Sequence, residues 1–196
     1  IQLFLMQAQR VRTVFNRLLP HTTKFRPDAL AFNWEIQVIK SNELNAFAMP
    51  GGKMVIYTGI IDRLNLTNDE LAAIIGHEMA HVLREHSREK ISQEVAKGAG
   101  ISLVSAMMGF DAGTESLIQQ ASQVAFSLPF SRQMETEADL IGLELFANAG
   151  YNPNGVVSLW EKMSQQGGGG SVEFLSTHPS DASRIARIKR EIPKFR

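Results

Sequence analysis

A capping box at Thr67-Asn68-Asp69-Glu70 sets the strongest condition on how this chain folds. The Thr hydroxyl can accept one orphan amide of a first helical turn while the Glu side chain reaches back to another. Leu71, Ile74, Ile75, Met79, Val82 and Leu83 follow at helical spacing. The pattern predicts an amphipathic helix from Thr67 to about Lys97, whose apolar stripe the rest of the chain must bury. Within it stands His77-Glu78-Met79-Ala80-His81. Two His four residues apart lie about 40° apart around a helix and one turn along it, so their imidazoles can converge on one metal ion. Glu78 lies about 100° from His77, where it can hold a water rather than the ion.

Composition narrows what such a site can be. With 196 residues, 44% hydrophobic and 20% charged, the chain is expected to form a single domain, 1–196, with a substantial core. Twenty basic residues balance twenty acidic ones. No cationic footprint for phosphate exists, so nucleic acid is not an expected partner. The absence of Cys excludes a thiol nucleophile, a disulfide scaffold and Cys-ligated zinc. Any metal is left to the five His and the carboxylates. Neutral imidazole suits zinc, and a site with one open position is catalytic rather than structural. The longest uncharged runs, Ser116–Ser131 and Leu145–Trp160, are interrupted by polar residues, Pro or Gly, so no transmembrane segment is expected. The chain opens on Ile1 rather than Met, and a trimmed form is expected, with any targeting segment or membrane anchor upstream.

The order of elements reads as α+β, mainly helical with a small sheet. An N-terminal helix is predicted over 1–22, its stripe formed by Phe4, Ala8, Val11, Phe15 and Leu18 and widened by Leu5 and Leu19. The small sheet spans 34–58. Alternation over Phe32–Lys40 suits a strand, and Asn45–Met49 and Lys53–Thr58, joined by Pro50-Gly51-Gly52, suit a hairpin. A helical core is expected over 67–150, including a helix from Arg132 to Ala149 stopped by Gly150. C-terminal helices over 151–196 start at Asn152-Pro153 and at Pro179. Gly98–Phe110 reads as a lid, an apolar substrate contact or buried packing, Thr114–Ser127 as helical, and Gly167–Ser171 as a loop.

A third protein ligand must come from outside the His pair. A three-His extension would need Gly at 84 and His at 87, where the chain has Arg84 and Ser87. His86 would sit about 140° around a continuous helix from His81, so it is assigned a packing or capping role. Glu135-Thr136-Glu137-Ala138-Asp139 is the better donor. Glu135 and Asp139 share one helix face, so one can ligate while the other accepts the free N–H of a ligating His. A solvated acidic face is the competing reading of that cluster alone; beside the His pair it loses.

His77-Glu78-x-x-His81 followed by Glu135-x-x-x-Asp139 resembles the gluzincin zinc metallopeptidases, specifically the family of CAAX prenyl proteases and HtpX-type enzymes with its soluble bacterial envelope members. Asn45-Ala46-Phe47-Ala48-Met49-Pro50-Gly51-Gly52 resembles that family's active-site edge strand and turn. Gly76, Glu137-Ala138-Asp139 with Gly142, and Ser176-Thr177-His178-Pro179 followed by Arg184-Ile185 fit it as well.

The resemblance implies a zincin-like fold and one Zn2+ per chain held by His77, His81 and Glu135. It further implies Glu78 as general base and acid, Asp139 as the residue that orients a histidine, and a polypeptide substrate. Asn45, Ala46, Phe47 and Ala48 would bind that substrate by strand addition, which reads backbone rather than sequence. His178 and Arg184 are the candidates for stabilising the oxyanion. In some relatives the histidine at the His178 position instead ligates zinc and blocks it, so a catalytic, an inhibitory and a capping role stand open. The expected activity is endopeptidase action on unfolded, misassembled or damaged proteins in the periplasm. The alternative is a latent protease acting mainly as a chaperone, with His178 on the zinc.

Overall fold

In the computed structural model, which describes residues 1–96, 127–166 and 172–195, the chain runs α1 (Gln2–Leu18), β1 (Glu35–Ile39), β2 (Ala46–Ala48), β3 (Lys53–Tyr57), α2 (Thr58–Arg63), α3 (Asn68–Leu83) and α4 (His86–Ala96). It continues through α5 (Arg132–Asn148), α6 (Gly155–Gln166), α7 (Glu173–Thr177) and α8 (Ala182–Glu191). Gly98–Phe110, the Gly167–Ser171 loop and the helix expected over Thr114–Ser127, its last residue apart, lie outside the described residues.

The capping box forms as the sequence requires. Thr67 Oγ1 accepts from the Glu70 amide at 3.2 Å, and Glu70 Oε1 accepts from the Thr67 amide at 2.9 Å. Lys162 on α6 adds a 2.6 Å ion pair to the same carboxylate oxygen. The helix so started is not amphipathic. Every residue from Glu70 to Leu83 is buried, because α1, α5, α6 and β2 pack around α3. Thr67→Ala should destabilise the domain by about 1 kcal/mol, seen as a melting temperature about 2–4 °C lower.

α1 lays Ala8, Val11, Val14, Phe15 and Leu18 onto this core, whereas Leu5 faces solvent at 60% exposure, against expectation. The sheet has strand order β1-β3-β2. β1 runs parallel to β3 with Glu35 opposite Lys53, and β2 runs antiparallel to it with Ala46 opposite Ile56. The expected hairpin thus exists, turning through Gly51 and Gly52 at φ +92° and +112°, a region that favours glycine. β2 is one of the two end strands of this sheet among the described residues and packs against α3.

Several boundaries differ: α1 ends at Leu18 rather than near 22, the helix expected from Asn152-Pro153 begins at Gly155, and the one expected from Pro179 begins at Ala182. The largest difference lies in α3. The long helix expected to reach about Lys97 stops at Leu83, and the chain turns at Glu85, φ +54°, before α4 begins at His86. Glu85 is held there by contacts to Arg26 at 3.3 Å and Arg88 at 3.2 Å. α6 starts at Gly155, after an Asn152 side chain that accepts from the Asn154 amide at 3.0 Å. The last helix is capped by Asp181, whose Oδ1 accepts from the Arg184 amide at 2.8 Å.

Candidate active site

α3 and α5 meet at two glycines. A Cβ at Gly142 would lie 3.1 Å from the His77 Cα and amide nitrogen, and one at Gly76 would lie 3.2 Å from the Gly142 carbonyl oxygen. A side chain at either position would push the two backbones apart by a few tenths of an ångström. The approach brings Glu135, in the first turn of α5, onto the His pair of α3. His81 Nε2 lies 2.9 Å from Glu135 Oε1, His77 Nε2 lies 3.2 Å from Glu135 Oε2, and the two Nε2 atoms are 3.1 Å apart. His178, at the end of α7, sends its Nε2 to within 2.9 Å of Glu78 Oε1. One ligand atom each from His77, His81, Glu135 and His178 lie within 4.8 Å of one another, and all four residues are buried.

The outward-facing atoms of the rings explain this aim. His77 Nδ1 faces Asp139 Oδ1 at 3.3 Å. His178 Nδ1 lies 3.1 Å from the Phe174 carbonyl oxygen, to which it can donate. His81 Nδ1 faces His86 Nδ1 at 2.9 Å. With their protons on Nδ1, all three rings turn bare Nε2 lone pairs inward. Phe130 stacks on His81 with ring centroids 3.9 Å apart, and Phe174 on His178 at 4.1 Å. Both oxygens of Glu135, Oε1 of Glu78 and Nε2 of His178 are buried without a well-aligned hydrogen bond, although Arg184 stands against Glu135 Oε2 as an ion-pair partner. Converging lone pairs shut away from water are unfavourable unless a cation sits among them. Imidazole and carboxylate are the donors a zinc-type ion takes.

The charge state of the bare cluster points the same way. Burial works against a charge on His77, but Glu135 and Asp139 outweigh it and raise its pKa to about 9. Burial carries His81 down to about 3 in spite of Glu135. Glu135 is held well below the usual carboxylate range against its burial, chiefly by His77 and then His178. The cluster thus draws one positive charge into its centre, which a metal ion would supply in place of a proton.

Arg184, a candidate oxyanion donor by sequence, stands against two carboxylates of the site. It is buried, donating from Nε and Nη2 to the two oxygens of Asp139 at 2.5 and 2.8 Å and from Nη1 to the Pro179 carbonyl at 2.6 Å. Nη2 also lies 2.5 Å from Glu135 Oε2, and the guanidinium sits 4.5 Å over the Trp160 ring. Of the strand expected to receive substrate, Ala46–Ala48 forms β2. Asn45 precedes it, its side-chain oxygen accepting from the Ala46 amide at 2.9 Å. Phe47 and Ala48 line a small cleft with Glu78, Ser87, Phe130, Thr177 and His178. Sequence reasoning passed over Phe130 and Phe174, which carry no spacing signal, and gave His86 a packing or capping role.

A buried helix offering two imidazoles, met across glycines by a helix offering a carboxylate and flanked by a short mixed sheet, defines a zincin-like metallopeptidase domain. Residues 6–192 match the model of Peptidase family M48, and the chain belongs to that family. It is 39% identical over 163 residues to "Mitochondrial metalloendopeptidase OMA1" of Schizosaccharomyces pombe, covering 82% of this chain and 47% of that protein. It is 30% identical over 185 residues to "Metalloprotease LoiP" of Escherichia coli, covering 93% of this chain and 69% of the relative. "Metalloprotease YcaL" of the same organism is 27% identical over 157 residues, 80% of this chain and 61% of its own length. The chain spans less than half the length of the fungal OMA1 relatives.

Proposed function

We propose that this domain is a zinc endopeptidase that cleaves unfolded, misassembled or damaged proteins in quality control of the bacterial cell envelope. The convergence of His77, His81 and Glu135 beside the Glu78 carboxylate is the observation that carries the reading. In it, those three residues hold one Zn2+. The ion, when bound, supplies Lewis acidity that acidifies a water and polarises a peptide carbonyl. Glu78 takes the proton of the attacking water on its carboxylate and returns it to the leaving amine. Its pKa is lowered despite burial, mainly by His178, so it stands ready as a base.

Asp139 orients His77, and Arg184 holds Asp139 and Glu135. With its donors spent on those carboxylates and on Pro179, Arg184 acts as a positioning residue rather than an oxyanion donor. An extended substrate adds beside Asn45, Ala46, Phe47 and Ala48, a reading supported by the end position of β2 and by Phe47 and Ala48 in the cleft with Glu78. The periplasm is the proposed compartment. Likeness to two E. coli metalloproteases supports it, while the OMA1 relatives are mitochondrial by name. No helix among the described residues is long and apolar enough to cross a membrane.

A second reading has its own support. His178 belongs to the four-donor group and its ring is tied back through Nδ1, the arrangement of a fourth ligand that closes the open position. The domain would then be latent, or act mainly as a chaperone. Zinc content after exhaustive dialysis and casein cleavage by wild type and His178→Ala separate the two. Cleavage by the wild type at one zinc per chain, weakened in His178→Ala, supports the active protease with a catalytic His178. Cleavage gained only in His178→Ala supports latency. Absence of stoichiometric zinc defeats both.

A further inference from the structure

We propose that His86 and Glu137 are positioning residues of the metal centre, holding His81 in the tautomer and ring orientation that a ligand needs. This rests on the reading of His77, His81 and Glu135 as zinc ligands.

The hydrogen-bond bookkeeping admits one arrangement for a ligating His81. Its Nε2 faces Glu135 and His77, so its proton belongs on Nδ1, which lies 2.9 Å from His86 Nδ1. His86 must therefore accept on Nδ1 and carry its own proton on Nε2. That nitrogen lies 3.0 Å from Glu137 Oε2, an acceptor that cannot donate when ionised. Glu137 is steadied by Arg84 Nε at 3.2 Å and Gln133 Nε2 at 3.4 Å. Each proton has one place along the line, and Glu137 Oε2, where it ends, accepts from both His86 and Arg84.

The two ligating rings are thus served from one helix in two ways. His77 meets a carboxylate of α5 directly, at Asp139. His81, one turn further along α3, is reached by the next carboxylate, Glu137, only through an intervening imidazole. Because α3 ends at Leu83 and the chain reverses at Glu85, His86 returns over His81 and fills that gap. It is 2% exposed, a polar ring buried where an apolar one would pack as well were no hydrogen bond needed.

The test measures the rate at which zinc passes from the loaded protein to excess chromophoric chelator, alongside the melting temperature of the zinc-free protein. His86→Phe, which fills the space without an acceptor, should weaken zinc retention by about 10–100-fold. His86→Gln keeps an acceptor and a donor and should recover part of the loss. Glu137→Ala should act in the same direction, and the double variant with His86→Phe should lose no more than His86→Phe alone, because Glu137 acts through His86. The Glu137 side chain is 31% exposed, so this variant decides the matter should His86→Phe fail to fold. Unchanged zinc release in Glu137→Ala and His86→Gln, or a fall only in zinc-free melting temperature, overturns the proposal with the metal centre intact. A wild type without stoichiometric zinc overturns the underlying reading instead.

Discussion

Glu78→Gln should lower peptide hydrolysis by about 10²–10⁴-fold while the protein keeps its zinc. The substitution is nearly isosteric, and Glu78 lies off the face on which His77 and His81 stand, so no ligand atom is lost. What disappears is an oxygen able to take up a proton and give it back. The fold should tolerate the change, because a buried charge becomes a buried neutral amide that His178 Nε2 still approaches. The deficit should fall on kcat with KM little altered, since Glu78 acts on the reacting water rather than on substrate binding. Hydrolysis of a fluorogenic peptide and zinc content measured on the same sample check both halves. Full activity with zinc bound would rule out Glu78 as the proton carrier.

Arg184→Met is expected to cost the zinc-free domain about 3–5 kcal/mol, read from urea unfolding. Arg184 is 4% exposed, and its guanidinium neutralises two buried carboxylates, Asp139 and Glu135. Its removal leaves both charges short of a partner and strips the Trp160 face of its cation. Against a typical total of about 5–15 kcal/mol, that is a large share of the stability. Arg184→Lys should restore only a minor part, because an ammonium cannot span both oxygens of Asp139. Zinc binding should offset some of the loss by neutralising Glu135. An oxyanion donor would behave in the opposite way, with kcat reduced and zinc-free stability within about 1 kcal/mol of wild type, a size usual for surface changes.

Local signals account for much of what was legible. Thr67 and Glu70 make their reciprocal bonds, Pro50-Gly51-Gly52 turns the hairpin, and Gly150 at φ +93° ends α5 where a left-handed cap belongs. Each is decided within about four residues, so sequence alone suffices. The end of α3 was not legible. Arg84-Glu85 contains neither Gly nor Pro, and the left-handed Glu85 is held by Arg26, far away in sequence. The same silence hid His86. The angle that set it aside from His81 presumes a continuous helix, and the break removes that premise.

Arg184 shows the same division. Its place in the motif marked it as important, but whether its donors face a substrate or a carboxylate depends on α5 and α8 packing together. The sequence by itself determined the α+β class, the helix start at Thr67 and the common face of His77 and His81, because helical geometry is local. Tertiary structure alone decided which carboxylate meets that face, through the Gly76–Gly142 crossing. It also decided that His178 turns its Nε2 inward and that His86 stands behind His81. Those outcomes depend on distances between segments that no local rule relates.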